Sequence, residues 1–92
     1  MLKDWTKKVN NFYLADGRIF SSLTELLRIL EDINEETFYK HVNDWKNDFY
    51  EWINHCINPE IALAVKDKKN PKEMRDSLII KLITELEREC CN

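Results

Sequence analysis

Residues that interrupt regular structure are scarce in this chain, which has one glycine and two prolines among 92 residues. Glycine and proline are the residues that most often mark turns and end helices. Their scarcity favours helices. Folded domains most often hold about 100–150 residues and rarely split below that size. We therefore predict a single domain over residues 1–92.

Long apolar runs are missing as well. No stretch approaches the ~20 consecutive apolar residues that a membrane-spanning helix needs, and the N-terminal MLKDWTKK contains no apolar run of the signal-peptide kind. The three cysteines are an odd number, and two of them, Cys90 and Cys91, are adjacent, which does not suit a disulfide framework. These features predict a cytoplasmic protein with reduced thiols and no membrane partner.

The net charge of −3 conceals an uneven distribution. Residues 21–64 carry three basic side chains against nine acidic ones, whereas residues 1–20 carry four against two and residues 65–92 carry seven against six. An acidic middle segment repels a phosphate backbone. The basic segment 66–72 has no interleaved aromatic residues for base stacking. Nucleic acid is therefore not the expected partner.

The segment Phe12–Phe20 has the pattern of a β-hairpin, predicted over residues 11–20. Asp16-Gly17 is a pair that the two-residue type I′ turn favours, because both turn residues need φ > 0. Such a turn would pair Leu14 with Ile19 and Tyr13 with Phe20, and would direct one face to a core: Phe12, Leu14 and Ile19. A lone two-stranded hairpin is marginal in water, so helices are expected to cover it.

Capping residues mark the starts of the helices that follow. Ser22 and Glu25 form a capping box, in which the serine hydroxyl accepts from the Glu25 amide and the glutamate carboxylate accepts from the cap amide. Capping asparagines before proline or glutamate occur at Asn34, Asn58 and Asn70. The predicted helices cover about 22–31, 35–57 with a break near 43–47 as the alternative, 59–68 and 71–89. The predicted fold class is mainly α (α+β), with an N-terminal β-hairpin packed against a bundle of four to five helices.

The middle segment carries an unusually aromatic stripe if its helix is continuous. Its large side chains fall within about 100° of arc: Phe38, Val42, Trp45, Phe49, Trp52, Ile53 and Cys56. The favoured interpretation places this stripe in the core beneath the hairpin. The alternative is an exposed aromatic groove for a partner, with Trp45 and Trp52 as interaction candidates.

Four polar side chains lie along one flank of that stripe: His41, Asp44, Asp48 and His55. Imidazoles beside carboxylates can bind a transition metal or act as an acid–base pair. Structural hydrogen bonding is the favoured interpretation, and these four residues are only weak metal candidates. The pairs His55-Cys56 and Cys90-Cys91 lack the Cys-x-x-Cys spacing typical of zinc sites. We predict no metal and no cofactor.

The common catalytic motifs are also missing. The only glycine is Gly17, so no glycine-rich phosphate loop exists, and neither a nucleophile elbow nor a zincin helix occurs. We therefore predict no catalytic residues and no enzymatic activity.

The last predicted helix has a wider apolar face than one core contact requires. Met74, Leu78, Ile79, Leu82, Ile83 and Leu86 spread over about 180°, and Ile80 lies outside that arc. A broad apolar helix is either fully buried or shared with another chain. Four residues of this helix are candidates for contact with a partner or a second copy of the chain: Ile79, Ile80, Ile83 and Leu86.

The motifs Phe12-Tyr13-Leu14-x-Asp16-Gly17-Arg18, Ser22-x-x-Glu25-Leu26, Phe38-x-x-His41-Val42 and Asn47-Asp48-Phe49-x-x-Trp52-Ile53 carry a resemblance. Over about residues 10 to 75, the chain resembles a small domain of unknown function that is common in archaeal genomes. The resemblance implies an intracellular accessory domain without an assigned reaction. It also suggests that His41 and Asp48 pair, which would lock the helix against the hairpin.

Taken together, these features predict a protein–protein interaction or adaptor module without catalytic activity, acting on a protein partner or through self-association as a homodimer. The alternatives are a nucleic-acid-associated regulator or a small inhibitor protein of a mobile element. A small metal- or thiol-dependent enzyme is a further alternative.

Overall fold

Two short strands precede five helices along the chain. The computed structural model of the protein describes residues 4–90, and their side chains as far as Arg88. The elements are β1 (Phe12–Tyr13), β2 (Ile19–Phe20), α1 (Leu23–Asp32), α2 (Glu35–His41), α3 (Asp48–Cys56), α4 (Pro59–Ala62) and α5 (Pro71–Cys90). The predicted class, mainly α (α+β) with an N-terminal hairpin, is confirmed. In the described part of the chain, no helix is long and apolar enough to cross a bilayer.

The register of the hairpin differs by one residue from the predicted one. Phe12 pairs with Phe20, and Tyr13 pairs with Ile19. The predicted pairing of Leu14 with Ile19 was therefore wrong. Because side chains alternate between the two faces of a strand, this shift turns Phe20 inward and Ile19 outward. Phe20 is 1% exposed and Ile19 is 54% exposed, so Phe20 takes the core position that was predicted for Ile19.

The turn chemistry explains the shift. The Leu14 amide donates to the Arg18 carbonyl oxygen at 2.9 Å, which leaves a three-residue loop. Gly17 has a φ of 98°, and no non-glycine residue in the described chain has positive φ. A type I′ turn also needs φ > 0 at Asp16, whereas three-residue loops need it only at the last position. The Arg18 amide donates to the Asp16 carboxylate at 3.0 Å, and this bond holds the pKa of Asp16 below its usual range.

The start of α1 has a modified capping box. The Glu25 amide donates to the Ser22 hydroxyl oxygen at 3.2 Å, as predicted. The Glu25 carboxylate, however, accepts from the Ser21 amide at 2.7 Å rather than from the Ser22 amide. Lys8 donates to the other carboxylate oxygen of Glu25. The hydrogen bonds from Lys8 and Ser21 hold the pKa of Glu25 below its usual range.

The helical segment 35–57 is broken in the structure. α2 ends at His41 and α3 begins at Asp48, with Asn47 as its N-cap, whose side-chain oxygen accepts from the Tyr50 amide at 2.9 Å. The helix predicted over 59–68 is also shorter, since α4 ends at Ala62. Tighter turn hydrogen bonds follow it, in which each amide donates three residues back.

The part of the core that joins the hairpin to α2 and α3 is an aromatic cluster. Phe49 is fully buried at its centre, with ring centroids 5.1 Å from Phe12, 5.7 Å from Phe38 and 6.3 Å from Phe20. Trp52 packs edge-on against Phe20 at 4.9 Å. On the other side, α1 packs along α5. The helices therefore cover the hairpin, as its marginal stability requires.

Candidate interaction surface

The break between α2 and α3 forms a tight, well-bonded turn. Val42 and Asn47 form an antiparallel bridge across its base. The Asn43 amide donates to the Lys46 carbonyl oxygen at 2.9 Å, and the Trp45 amide donates to the Asn43 side-chain oxygen at 2.9 Å. Asparagine favours such turns because its side-chain oxygen can accept a hydrogen bond from the backbone amide two residues further along the chain. The backbone of this turn is thus fixed by contacts of its own.

Trp45 projects from this turn into solvent. Its side chain is 86% exposed, the largest exposure among the large apolar residues of the described chain. On a continuous helix Trp45 would share the buried stripe with Phe49 and Trp52. The break removes it from that stripe, while Trp52 stays in the core at 7% exposure and donates its indole N–H to the Asn10 carbonyl oxygen at 2.9 Å. Of the two tryptophan candidates, only Trp45 is available to a partner.

Two open grooves share Trp45 as part of their walls. Both are also lined by Lys46 and Lys69; Tyr39 completes the first groove, whereas Tyr50 and Lys66 line the second. We call this region the tryptophan surface, defined as Tyr39, Val42, Asp44, Trp45, Lys46, Tyr50, Glu51, Lys66 and Lys69. It combines exposed aromatic rings with lysines from a distant part of the chain.

Asn47 brings those two parts together. Its side-chain amide donates to the carbonyl oxygens of Val65 at 2.9 Å and Lys66 at 3.3 Å. The Lys66 ammonium lies 5.7 Å from the centroid of the Tyr50 ring, within the range of a cation–π contact. Sequence reasoning found no aromatic residues among the lysines of segment 66–72, because the aromatic residues come from α2, α3 and the turn between them. The cap residue Asn47 was the one signal in the sequence, and it does not reveal its long-range partner.

His41 and Asp48 do pair, next to the tryptophan surface, since Asp48 also accepts from the Lys46 ammonium at 3.2 Å. His41 Nδ1 lies 3.0 Å from Asp48 Oδ2, and His41 Nε2 accepts from the Ala15 amide at 3.0 Å. Because Nε2 accepts from a backbone amide, Nδ1 is the ring nitrogen that donates to the Asp48 carboxylate. His41 is buried and its ring packs edge-on against Phe12 at 5.1 Å. The pair therefore connects the hairpin turn to the start of α3.

The other two weak metal candidates, Asp44 and His55, do not join the His41–Asp48 pair. Asp44 is 83% exposed in its side chain and lies 4.0 Å from the Lys69 ammonium. His55 pairs with Glu51 at 3.2 Å on the exposed side of α3. Among the described residues, no three histidine, cysteine or acidic side chains group closely enough to hold a metal. The thiol of Cys56 is half-buried, whereas Cys91 lies outside the described residues.

The last helix leaves part of its apolar face uncovered. Met74, Leu78 and Leu82 are buried in the core, but Ile80 is 65% exposed and Ile83 is 51% exposed. The remaining two candidates on this helix, Ile79 and Leu86, are half-buried. We call Ile80 and Ile83 the isoleucine pair.

Comparison with known proteins identifies no relative of this chain. No family model, no curated protein and no solved structure matches the chain. The resemblance to the archaeal family of unknown function stays a prediction. Function is therefore inferred from surface geometry alone.

Proposed function

We propose that this protein is an interaction module that binds a protein partner through the tryptophan surface. The observation that carries the proposal is the 86% exposure of Trp45 on a turn that is already held by its own hydrogen bonds. Tryptophan is enriched among the residues that dominate binding energy at protein interfaces. A turn that is ordered before binding avoids part of the entropic cost of association. The proposal includes no catalytic step.

The expected test result is that Trp45→Ala abolishes capture of a partner from native host extract while leaving the fold intact. Loss of a buried anchoring tryptophan costs at least ~2 kcal/mol, which is roughly a thirtyfold loss of affinity. The measurement is quantitative mass spectrometry of proteins captured by the tagged wild type and the variant, with nuclease present. Circular dichroism should give the same melting temperature for both, because Trp45 contributes little to the core.

Tyr13→Ala is the matched control, since Tyr13 is an aromatic residue 66% exposed on the outer face of the hairpin. It should retain every partner that Trp45→Ala loses. A partner that binds the Trp45→Ala variant as strongly as the wild type would contradict the proposal. Nuclease-sensitive capture would favour the alternative of a nucleic-acid-associated regulator instead.

Self-association is the second candidate function, because the isoleucine pair exposes two β-branched apolar side chains on α5. Isolated exposed apolar residues are common on monomers, so the decisive property is concentration dependence. Sedimentation equilibrium of the wild type should show a dimer, and Ile80→Ser with Ile83→Ser should shift it to monomer. Ile19→Ser, at a residue of similar exposure on the hairpin, should not. A wild type that stays monomeric at all concentrations would eliminate this candidate.

A further inference from the structure

We infer that the partner presents an acidic peptide segment with an aromatic or aliphatic side chain, which docks on the tryptophan surface. This inference rests on the proposed function and names the chemistry of the ligand. Three properties of the surface support it: an apolar floor, lysines at its border, and carboxylates that are placed among those lysines.

The floor of the first groove is apolar. It is lined by the rings of Tyr39 and Trp45 and by Val42. Tyr39 is 45% exposed, so both rings offer area that is in water in the free protein. An aromatic or aliphatic side chain placed between them would remove apolar surface from water on both partners, which favours binding.

The lysines at the border are only weakly engaged. The Lys46 ammonium lies 3.2 Å from Asp48, and the Lys69 ammonium lies 4.0 Å from Asp44. Exposed ion pairs of this kind contribute little to stability, because water and salt screen them. Lys66 is different, since its partner among the described residues is the Tyr50 ring. These ammonium groups can therefore form ion pairs with carboxylates of a ligand at little cost to the stability of the fold.

Carboxylates within the same surface decide between two kinds of anionic ligand. Asp44 lines both grooves, and Glu51 lines the second. A single-stranded nucleic acid carries a charge at every nucleotide and would bring phosphates close to these carboxylates. A peptide can carry one or two carboxylates at the lysines and none at Asp44 or Glu51. The alternation of charges on this surface therefore fits an acidic peptide better than a polyphosphate.

The test is selection of peptides from a random phage-displayed library on the wild-type protein, with depletion on Trp45→Ala. We expect the selected sequences to combine aspartate or glutamate with a nearby aromatic or aliphatic residue. One such synthetic peptide is then titrated by fluorescence polarisation. Lys69→Glu should weaken its binding by up to about fivefold, since an exposed ion pair is worth up to about 1 kcal/mol. Lys72→Glu, a charge reversal on exposed α5, should leave binding unchanged.

Two results would overturn the inference. The first is that the selection enriches neutral or basic peptides, or that it enriches no peptide at all. The second is Trp45-dependent binding of a labelled oligothymidine, which would identify nucleic acid as the ligand class. Failure of the inference remains distinguishable from failure of the proposed function. A partner whose capture depends on Trp45, together with selected peptides that are not acidic, leaves the interaction module intact and rejects only the acidic segment.

Discussion

Replacing Phe49 by alanine is expected to remove a large fraction of the stability of this protein. Phe49 is fully buried and contacts aromatic rings from β1, β2 and α2, so it joins the hairpin to the helices. Truncation of a buried phenylalanine costs about 3–5 kcal/mol. The free energy of unfolding of native domains is about 0.05–0.15 kcal/mol per residue, which gives roughly 5–14 kcal/mol for 92 residues. The loss is therefore a large fraction of the total free energy of unfolding.

Urea unfolding followed by circular dichroism measures this effect. The Phe49→Ala midpoint should fall steeply, or the variant should lack a cooperative transition if the wild type lies at the lower end of the range. Phe49→Leu should lose less, because leucine refills part of the cavity. Tyr13→Ala removes an exposed ring and should change the free energy of unfolding by no more than about 0.5 kcal/mol. A Phe49→Ala variant within about 1 kcal/mol of the wild type would show that the aromatic cluster is not the centre of the core.

Local signals predicted where the helices begin, because caps act within one turn. The side-chain oxygens of Asn34 and Asn70 each accept a hydrogen bond from the backbone amide three residues further along the chain, at 2.8 Å in both cases. Such bonds depend on a few adjacent residues, so the sequence alone reveals them. The start of every helix predicted from a cap therefore falls within one residue of the observed one.

The hairpin register shows where local reasoning ends. Asp16-Gly17 favours a two-residue turn, but a three-residue loop places Phe20 beside Phe12, with ring centroids 4.7 Å apart. Burial of an aromatic side chain outweighs a turn preference, because the full burial of Phe is worth about 1.5–3 kcal/mol. Register is set by which face meets the core. That choice depends on residues of α3, which the hairpin sequence does not contain.

The candidate site was only partly predictable for the same reason. Exposure of Trp45 depends on the break after His41, and helical periodicity alone places it in the buried stripe with Phe49. Two of the three lysines of the site, Lys66 and Lys69, come from the segment that follows α4, which Asn47 holds through its side-chain amide. Contacts between parts of the chain that lie far apart in sequence leave no periodic signal.

Removal of the His41 side chain is expected to lower the melting temperature by roughly 10 °C or more. The imidazole accepts from the Ala15 amide and pairs with Asp48, both at 3.0 Å, and its ring packs against Phe12. An ordinary hydrogen bond contributes about 0.5–1.5 kcal/mol and one to a charged group about 1.5–3 kcal/mol, so the loss of both costs roughly 2–4.5 kcal/mol. Each kcal/mol shifts the melting temperature of a domain of this size by about 4–8 °C. Thermal unfolding of His41→Ala, followed by circular dichroism, measures the shift.

His55→Ala is the matched control, because His55 pairs with Glu51 on the exposed side of α3 and its side chain is 70% exposed. It should leave the melting temperature nearly unchanged. A double-mutant cycle with Asp48→Ala then separates the pair from packing: a coupling energy of about 0.5–3 kcal/mol is expected for residues in one hydrogen-bonded network. An additive cycle would contradict the predicted lock between the hairpin and α3. If His41→Ala instead keeps the wild-type melting temperature but loses the partner that Trp45 binds, His41 belongs to the binding site and not to the core.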